Sequence, residues 1–205
     1  MKTLINTVLK SSLVAIILSA SLFSLTASAA TVTADKGPSN TAIKKVIVTG
    51  NTNVLIMQGA NEFVKMDELD INKVSLKQVG STLTINSSEN SPVTVVVYVK
   101  DIYRIDASGN SNVKTLGKFN VKNLQVILKD NASARVKAAT SSLYTVIDDR
   151  AKLELIGTSD NHVSEITGRA KLDTDRFAAL KTENRSTLAS VAPSATIKQL
   201  VILSK

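Results

Sequence analysis

The feature that most narrows what this chain can fold into is a short pattern that recurs along it: a turn-forming residue, then a small, a polar and an apolar residue. It reads Thr52-Asn53-Val54, Ser81-Thr82-Leu83, Ser111-Asn112-Val113, Ala134-Arg135-Val136, Ala151-Lys152-Leu153, Ala170-Lys171-Leu172 and Ser186-Thr187-Leu188. Most copies follow residues that tolerate tight turns, among them Gly50-Asn51, Gly109-Asn110, Asp148-Asp149, Thr167-Gly168 and Glu183-Asn184. In a strand, side chains alternate between faces, so the small and apolar members share one face and the polar member takes the other. Each copy therefore reads as a corner leading into a strand, with the small residue inside the bend where a larger one would clash.

The apolar members of the last five copies, Val113 to Leu188, lie 23, 17, 19 and 16 residues apart, and those of the first three lie 29 and 30 apart. A repeat of roughly 20 residues carrying strands and corners is what one coil of a β-solenoid requires, because a coil cannot bury its inward face until another stacks on it. The expectation is an all-β, parallel β-helix-like solenoid of stacked coils. The competing reading is a β-sandwich with frequent turns. Short Val- and Ile-rich runs support strands in either case: Ile43 to Val48, Val54 to Met57, Val74 to Val79, Leu83 to Ile85, Val93 to Val99 and Leu124 to Leu128. Only Glu68 to Lys73 reads as a helical turn. With no cysteine in the chain, stability must come from a core and from backbone pairing.

The N-terminus has another logic. Met1 to Lys10 carry two lysines and no acid, Leu13 to Leu25 are almost wholly apolar, and Ala27-Ser28-Ala29 offers the small residues of a cleavage site. The apolar stretch is shorter than the roughly 20 residues that span a bilayer. The reading is a signal peptide over residues 1–29, a flexible linker over 30–42, marked by Gly37-Pro38, and one domain over 43–205, exported to the periplasm, cell surface or medium. No transmembrane span is expected after cleavage. Loss of Lys2 and Lys10 leaves 23 basic residues against 17 acidic ones, a net charge of +6. That excess favours encounter with polyanions without naming one.

Three stretches resemble a known family of exported Gram-negative envelope domains, the putative auto-transporter adhesin, head GIN domain. Ile47-Val48-Thr49-Gly50-Asn51-Thr52-Asn53-Val54 to Gln58-Gly59 resembles its opening strand pair. Glu68-Leu69-Asp70 through Gly80-Ser81-Thr82-Leu83-Thr84-Ile85 is similar to its second unit, and Ile105-Asp106-Ala107-Ser108-Gly109-Asn110-Ser111-Asn112-Val113 to its Ser-Gly-small corner. The resemblance implies a right-handed β-helix-like fold and an envelope or surface role, and it carries over no catalytic residue. The later corners depart from the family's glycines: they read Asp130-Asn131-Ala132-Ser133, Asp149-Arg150-Ala151 and Asn184-Arg185-Ser186.

Residue chemistry points to binding rather than catalysis. Asp148 and Asp149 are adjacent, so a strand would aim them to opposite faces, unsuited to paired glycosidic carboxylates; a corner-capping role fits them better. His162, the single histidine, follows Ser159-Asp160-Asn161 and reads as a solvated loop residue with no metal or acid–base partner. Asp173-Thr174-Asp175 lacks the glycine and distal glutamate of a calcium loop. No catalytic, cofactor-binding or metal-binding residue is assigned. If coils stack in register, Arg135, Lys152 and Lys171 form one outward ladder, which Arg150, Arg169 and Arg185 widen into a basic stripe.

The expected function is thus a non-enzymatic envelope or secreted binding module, adhesin-like by resemblance. Its expected partner is an anionic polysaccharide or envelope polymer and not a specific nucleic acid; the oligomeric state is left open. A structural or stress-related periplasmic protein without a dedicated ligand is the second reading, and a polysaccharide-active enzyme the third.

Overall fold

The computed structural model describes residues 31–34, 41–117 and 119–186. The segment read as a signal peptide therefore lies outside the described residues, as do Thr187 and Leu188 of the last corner copy. The elements are β1 (Thr31–Ala34), β2 (Lys45–Gly50), β3 (Thr52–Gln58), β4 (Phe63–Asp67), a 3-10 helix (Glu68–Lys73), β5 (Ser75–Val79) and β6 (Thr82–Ser87). They continue with β7 (Val93–Val99), β8 (Arg104–Ala107), β9 (Asn112–Leu116), β10 (Phe119–Leu128), β11 (Ser133–Ile147), β12 (Lys152–Ile166) and β13 (Lys171–Ser186). The fold is all-β, a curled sheet with one short helical turn where the sequence places it. Asp67 caps that turn by accepting a hydrogen bond from the Leu69 N–H at 2.9 Å.

Period-two alternation builds the core. Val46 and Val48, Val54 and Ile56, Val95 and Val97, Val113, Val136 and Leu153 all point inward and are almost wholly shielded. Each such side chain contributes about 1.5–3 kcal/mol by leaving water. The long strands then stack in parallel. Ser133 lies opposite Lys152, and Lys152 opposite Lys171, a step of 19 residues each time. Pairing runs on to Ile147↔Ile166↔Ser186, with one slip in β12/β13 between Glu154 and Ile156.

Among the described pairs only β1–β4, β4–β7 and β5–β6 are antiparallel. The sandwich reading fails on this point, since its sheets are built from antiparallel neighbours. Stacking also departs from chain order early on. β3 lies between β7 and β9, and β2 between β6 and β8, so the chain begins in the second layer, visits the first, and returns to build the third. Gln58 ties this junction together. Its amide donates to the carbonyls of Lys100 (3.1 Å) and Asn120 (3.0 Å) and accepts from the Asn120 N–H at 2.8 Å.

Three sequence expectations are corrected. Part of the stretch read as a flexible linker is strand β1, paired antiparallel with β4; Thr-Val-Thr favours extended backbone, and β4 otherwise has an open edge there. Ser81-Thr82-Leu83 follows the hairpin between β5 and β6 and stacks on β2, not on β3. Asn184-Arg185-Ser186 is no corner, because it lies within β13 opposite Ser164 to Ile166. No helix among the described residues is long and apolar enough to cross a membrane.

Candidate functional site

The candidate site is set by a ladder of corners. Backbone bonds run from Asn110 N–H to the Gly50 carbonyl (3.0 Å), Asn131 to Gly109 (3.1 Å), Arg150 to Asp130 (3.0 Å) and Arg169 to Asp149 (2.6 Å). One position of every corner has a positive φ: Gly50 (75°), Gly109 (72°), Asp130 (58°), Asp149 (60°) and Gly168 (67°). Glycine takes this conformation freely, and aspartate is among the few other residues that tolerate it. The two aspartates also do what glycine cannot: Asp130 Oδ2 accepts from the Gly109 N–H at 2.9 Å, and Asp149 Oδ2 from the Asp130 N–H at 3.1 Å. Each carboxylate stitches its corner to the previous one. This accounts for the departure from the family's glycines.

Asp148 accepts a hydrogen bond from the Thr167 hydroxyl at 2.5 Å. Both carboxylates of the Asp148-Asp149 pair are therefore engaged in corner structure. Asp173 Oδ1 accepts from the Asp175 N–H at 3.0 Å, a local turn that occupies one of the two acids. Among the described residues, no three His, Cys, Asp or Glu side chains are grouped to hold a metal.

The corner ladder sets the positions of the basic residues. Arg150 and Arg169 are successive rungs, each exposed and followed by the alanine inside the bend. Two residues further on, Lys152 and Lys171 are register neighbours and also exposed. None of these four has an ion-pair partner among the described residues. The other two members of the expected stripe are placed differently. Arg135 lies opposite Glu154 rather than Lys152, and bonds to it. Arg176 bonds to the same carboxylate. Desolvation pushes the Glu154 carboxyl up, but the bonds from Arg176 and Arg135 outweigh it and hold the group below its ordinary value.

Arg185 lies opposite Glu165, outside the Arg150–Arg169 column. It bonds to Glu183 at 2.7 Å and reaches Glu165 at 3.8 Å. The bond to Glu183 raises the arginine above its usual range and lowers the glutamate. The stripe as expected is thus divided. Arg150, Lys152, Arg169 and Lys171 form a two-by-two cluster of free cations, while Arg135 and Arg185 are neutralised locally.

One cation escaped the sequence reading. Lys114 lies opposite Arg135 and is exposed. With Asn112, Arg135, Lys152 and Lys171 it lines a shallow open depression of about 620 Å³ on the outer side of the sheet. The signal that would have found it is the constant step of 19, which makes Ala132 and not Ala134 the equivalent of Ala151.

His162 is not the solvated loop residue expected. It lies in β12, is 2% exposed, and has its ring 5.3 Å from that of Phe177, edge to face. Its Nε2 is 3.1 Å from the Thr145 hydroxyl. Desolvation lowers its pKa below the ordinary value, so the neutral ring belongs to the core.

Residues 42–193 match the family described as "Putative auto-transporter adhesin, head GIN domain". The chain belongs to this family. No curated protein matches the sequence of this head GIN domain. Its fold is similar to a solved putative adhesin from Bacteroides fragilis NCTC 9343, at 12% identity over 71% of this chain and 72% of that one, with a TM-score of 0.61. It is similar too to a putative adhesin from Parabacteroides distasonis ATCC 8503, at 13% identity over 76% of each chain and a TM-score of 0.56. A third likeness is to a putative lipid binding protein from the same strain, at 15% identity over 71% of this chain and 75% of that one, TM-score 0.52. At these identities the likeness establishes the fold alone.

Proposed function

We propose that this head GIN domain is an exported, non-enzymatic binding module whose basic outer face takes an anionic envelope polymer. The observation that carries the reading is the cluster of Arg150, Lys152, Arg169 and Lys171: four exposed side chains on two adjoining turns, without acidic partners among the described residues. Surface cations are commonly scattered among acids. Here they repeat at the spacing of neighbouring strands, about 4.8 Å, which suits a ligand that also repeats its charge. The corner duties of Asp148 and Asp149 favour a structural over a catalytic role for the one acidic pair that invited an enzymatic reading. The adhesin names of the family and of its structural relatives agree with a surface role.

The finer architecture belongs to the same proposal: a right-handed parallel β-helix-like solenoid from β8 onward, which presents one outward position per turn at a fixed interval. The 19-residue register step supports it.

The test is retention of the purified protein on heparin and lipopolysaccharide matrices as salt is raised. Binding is expected to fall at least about tenfold between 50 and 200 mM salt, because attraction between exposed charges is screened over that range. Glutamine at Arg150, Lys152, Arg169 and Lys171 together should abolish retention while leaving the melting transition in place. A wild-type protein that passes both matrices at low salt overturns the reading.

A further inference from the structure

The outer face that carries the cations continues across earlier strands, and there its character changes. Register places Met57 between Tyr98 and Leu116, and Phe63 beyond Tyr98; one rung nearer the corner, Leu55 lies beside Val96. All six side chains alternate with core residues, so they project to the solvent side, where each is only partly shielded. In β11 to β13 the outward positions are largely polar or charged. β3 and β7 are instead apolar on both faces, the pattern of strands covered on both sides. Phe63 and Tyr98 stack with ring centres 4.1 Å apart, and Lys65 lies over both, at 5.2 and 5.8 Å.

The two regions are one surface. Strand order runs β4-β7-β3-β9-β11, with β12 and then β13 beyond, six steps or roughly 29 Å at ordinary strand spacing. The apolar rungs occupy one end and Lys114, Lys152 and Lys171 the other, with the shallow depression between. From this juxtaposition we infer that the face binds an acidic polysaccharide of the uronic type laid across the strands. The flat C–H faces of its sugar rings pack on Tyr98, Met57 and Leu116, and its carboxylates reach Lys65, Lys114, Lys152 and Lys171. This deepens the binding-module reading and rests on it.

Shape and charge select this occupant. The apolar side chains are level with the sheet and half-buried, which suits contact with a flat ring and not insertion into lipid. The most protruding apolar side chains, Leu69 and Leu180, 81% and 88% exposed, belong to other surfaces. A second copy of the chain would set lysine against lysine across a two-fold contact. A simple polyanion would use the lysines and leave the apolar rungs uncovered.

The experiment measures binding of the full protein to four probes: polygalacturonate, its methyl ester with the charge removed, poly-L-glutamate with the rings removed, and vesicles of phosphatidylglycerol in phosphatidylcholine. Polygalacturonate should bind about tenfold or more tightly than poly-L-glutamate, on the scale of one ring stacked on an aromatic side chain. The Met57→Thr/Tyr98→Thr variant keeps strand-forming residues and should erase that preference while leaving poly-L-glutamate binding unchanged. Equal affinity for the two polymers, tighter binding to vesicles, or a dimer that the double variant dissociates overturns the inference. Of these, equal affinity leaves the binding-module reading standing. Failure to bind any of the four removes both.

Discussion

Asp149 offers a direct test of the corner ladder, because three substitutions there separate its two roles. Its backbone φ of 60° carries a conformational cost for most side chains, and its Oδ2 accepts the Asp130 N–H at 3.1 Å. Asp149→Asn keeps both an acceptor oxygen and tolerance of positive φ, and should cost less than about 1 kcal/mol. Asp149→Gly satisfies the backbone but removes the bond and loosens the unfolded chain, for a loss of about 1–2 kcal/mol. Asp149→Ala removes the bond and leaves a Cβ in the left-handed region, which adds about 1 kcal/mol more, to about 2–3 kcal/mol. Equilibrium unfolding in urea, with unchanged slopes, reads all three. Equal stability of the Gly and Ala variants would refute the claim that positive φ constrains this corner, and an Asn variant as weak as Ala would refute the bonding role.

Two further outcomes probe the interior. Ala151 is wholly buried inside its bend, so Ala151→Leu should overpack the turn and cost about 1–3 kcal/mol; an unchanged melting temperature would mean that the corner can open to admit a larger group. His162 is held neutral, with its folded pKa depressed below the ordinary 6.5 by burial. The unfolded chain then binds a proton that the folded one refuses, so the contribution is complete above about pH 6.5 and is lost as pH falls toward the folded value. Stability measured from pH 7.5 to 5 should decline, and His162→Leu should flatten that decline. A wild-type profile already flat over this range would contradict the buried neutral ring.

Much of the architecture was legible in sequence because its signals are local. Runs such as Val93 to Val99 and turn-formers such as Gly50 and Gly109 specify strands and corners with no knowledge of what they pack against. Register was less legible, and the reason lies in Ala132 and Ala134. Both are small and buried, two residues apart, so sliding the repeat by two keeps every side chain on its proper face. A slip of one would have turned the core outward and been rejected at once. The slip of two costs nothing in pattern but exchanges partners, so Arg135 moved from a ladder with Lys152 to an ion pair with Glu154. Arg185 and His162 were misjudged for a related reason: local polarity marks neither the strand opposite nor the ring that packs from the next turn.

The irregular early spacing that obscured the repeat also shapes the outer face. Between β3 and β6 the chain inserts β4, the 3-10 helix and β5, so that copies 29 and 30 residues apart precede closer ones. The insertion turns β4 back antiparallel along β7, and in that register Phe63 meets Tyr98 and Lys65 lies beside Val96. Without it, β7 would present an aromatic at an open edge with no neighbour to support it. The same excursion that takes the early layers out of chain order thus widens the solvent side of the sheet by one strand carrying an aromatic and a lysine. The regular turns from β8 onward can repeat charge at a fixed interval but contribute no aromatic to this apolar region. A surface needing both apolar contact and spaced cations is met by joining an irregular first part to a regular second one, and the sheet holds the two in a single register from β4 to β13.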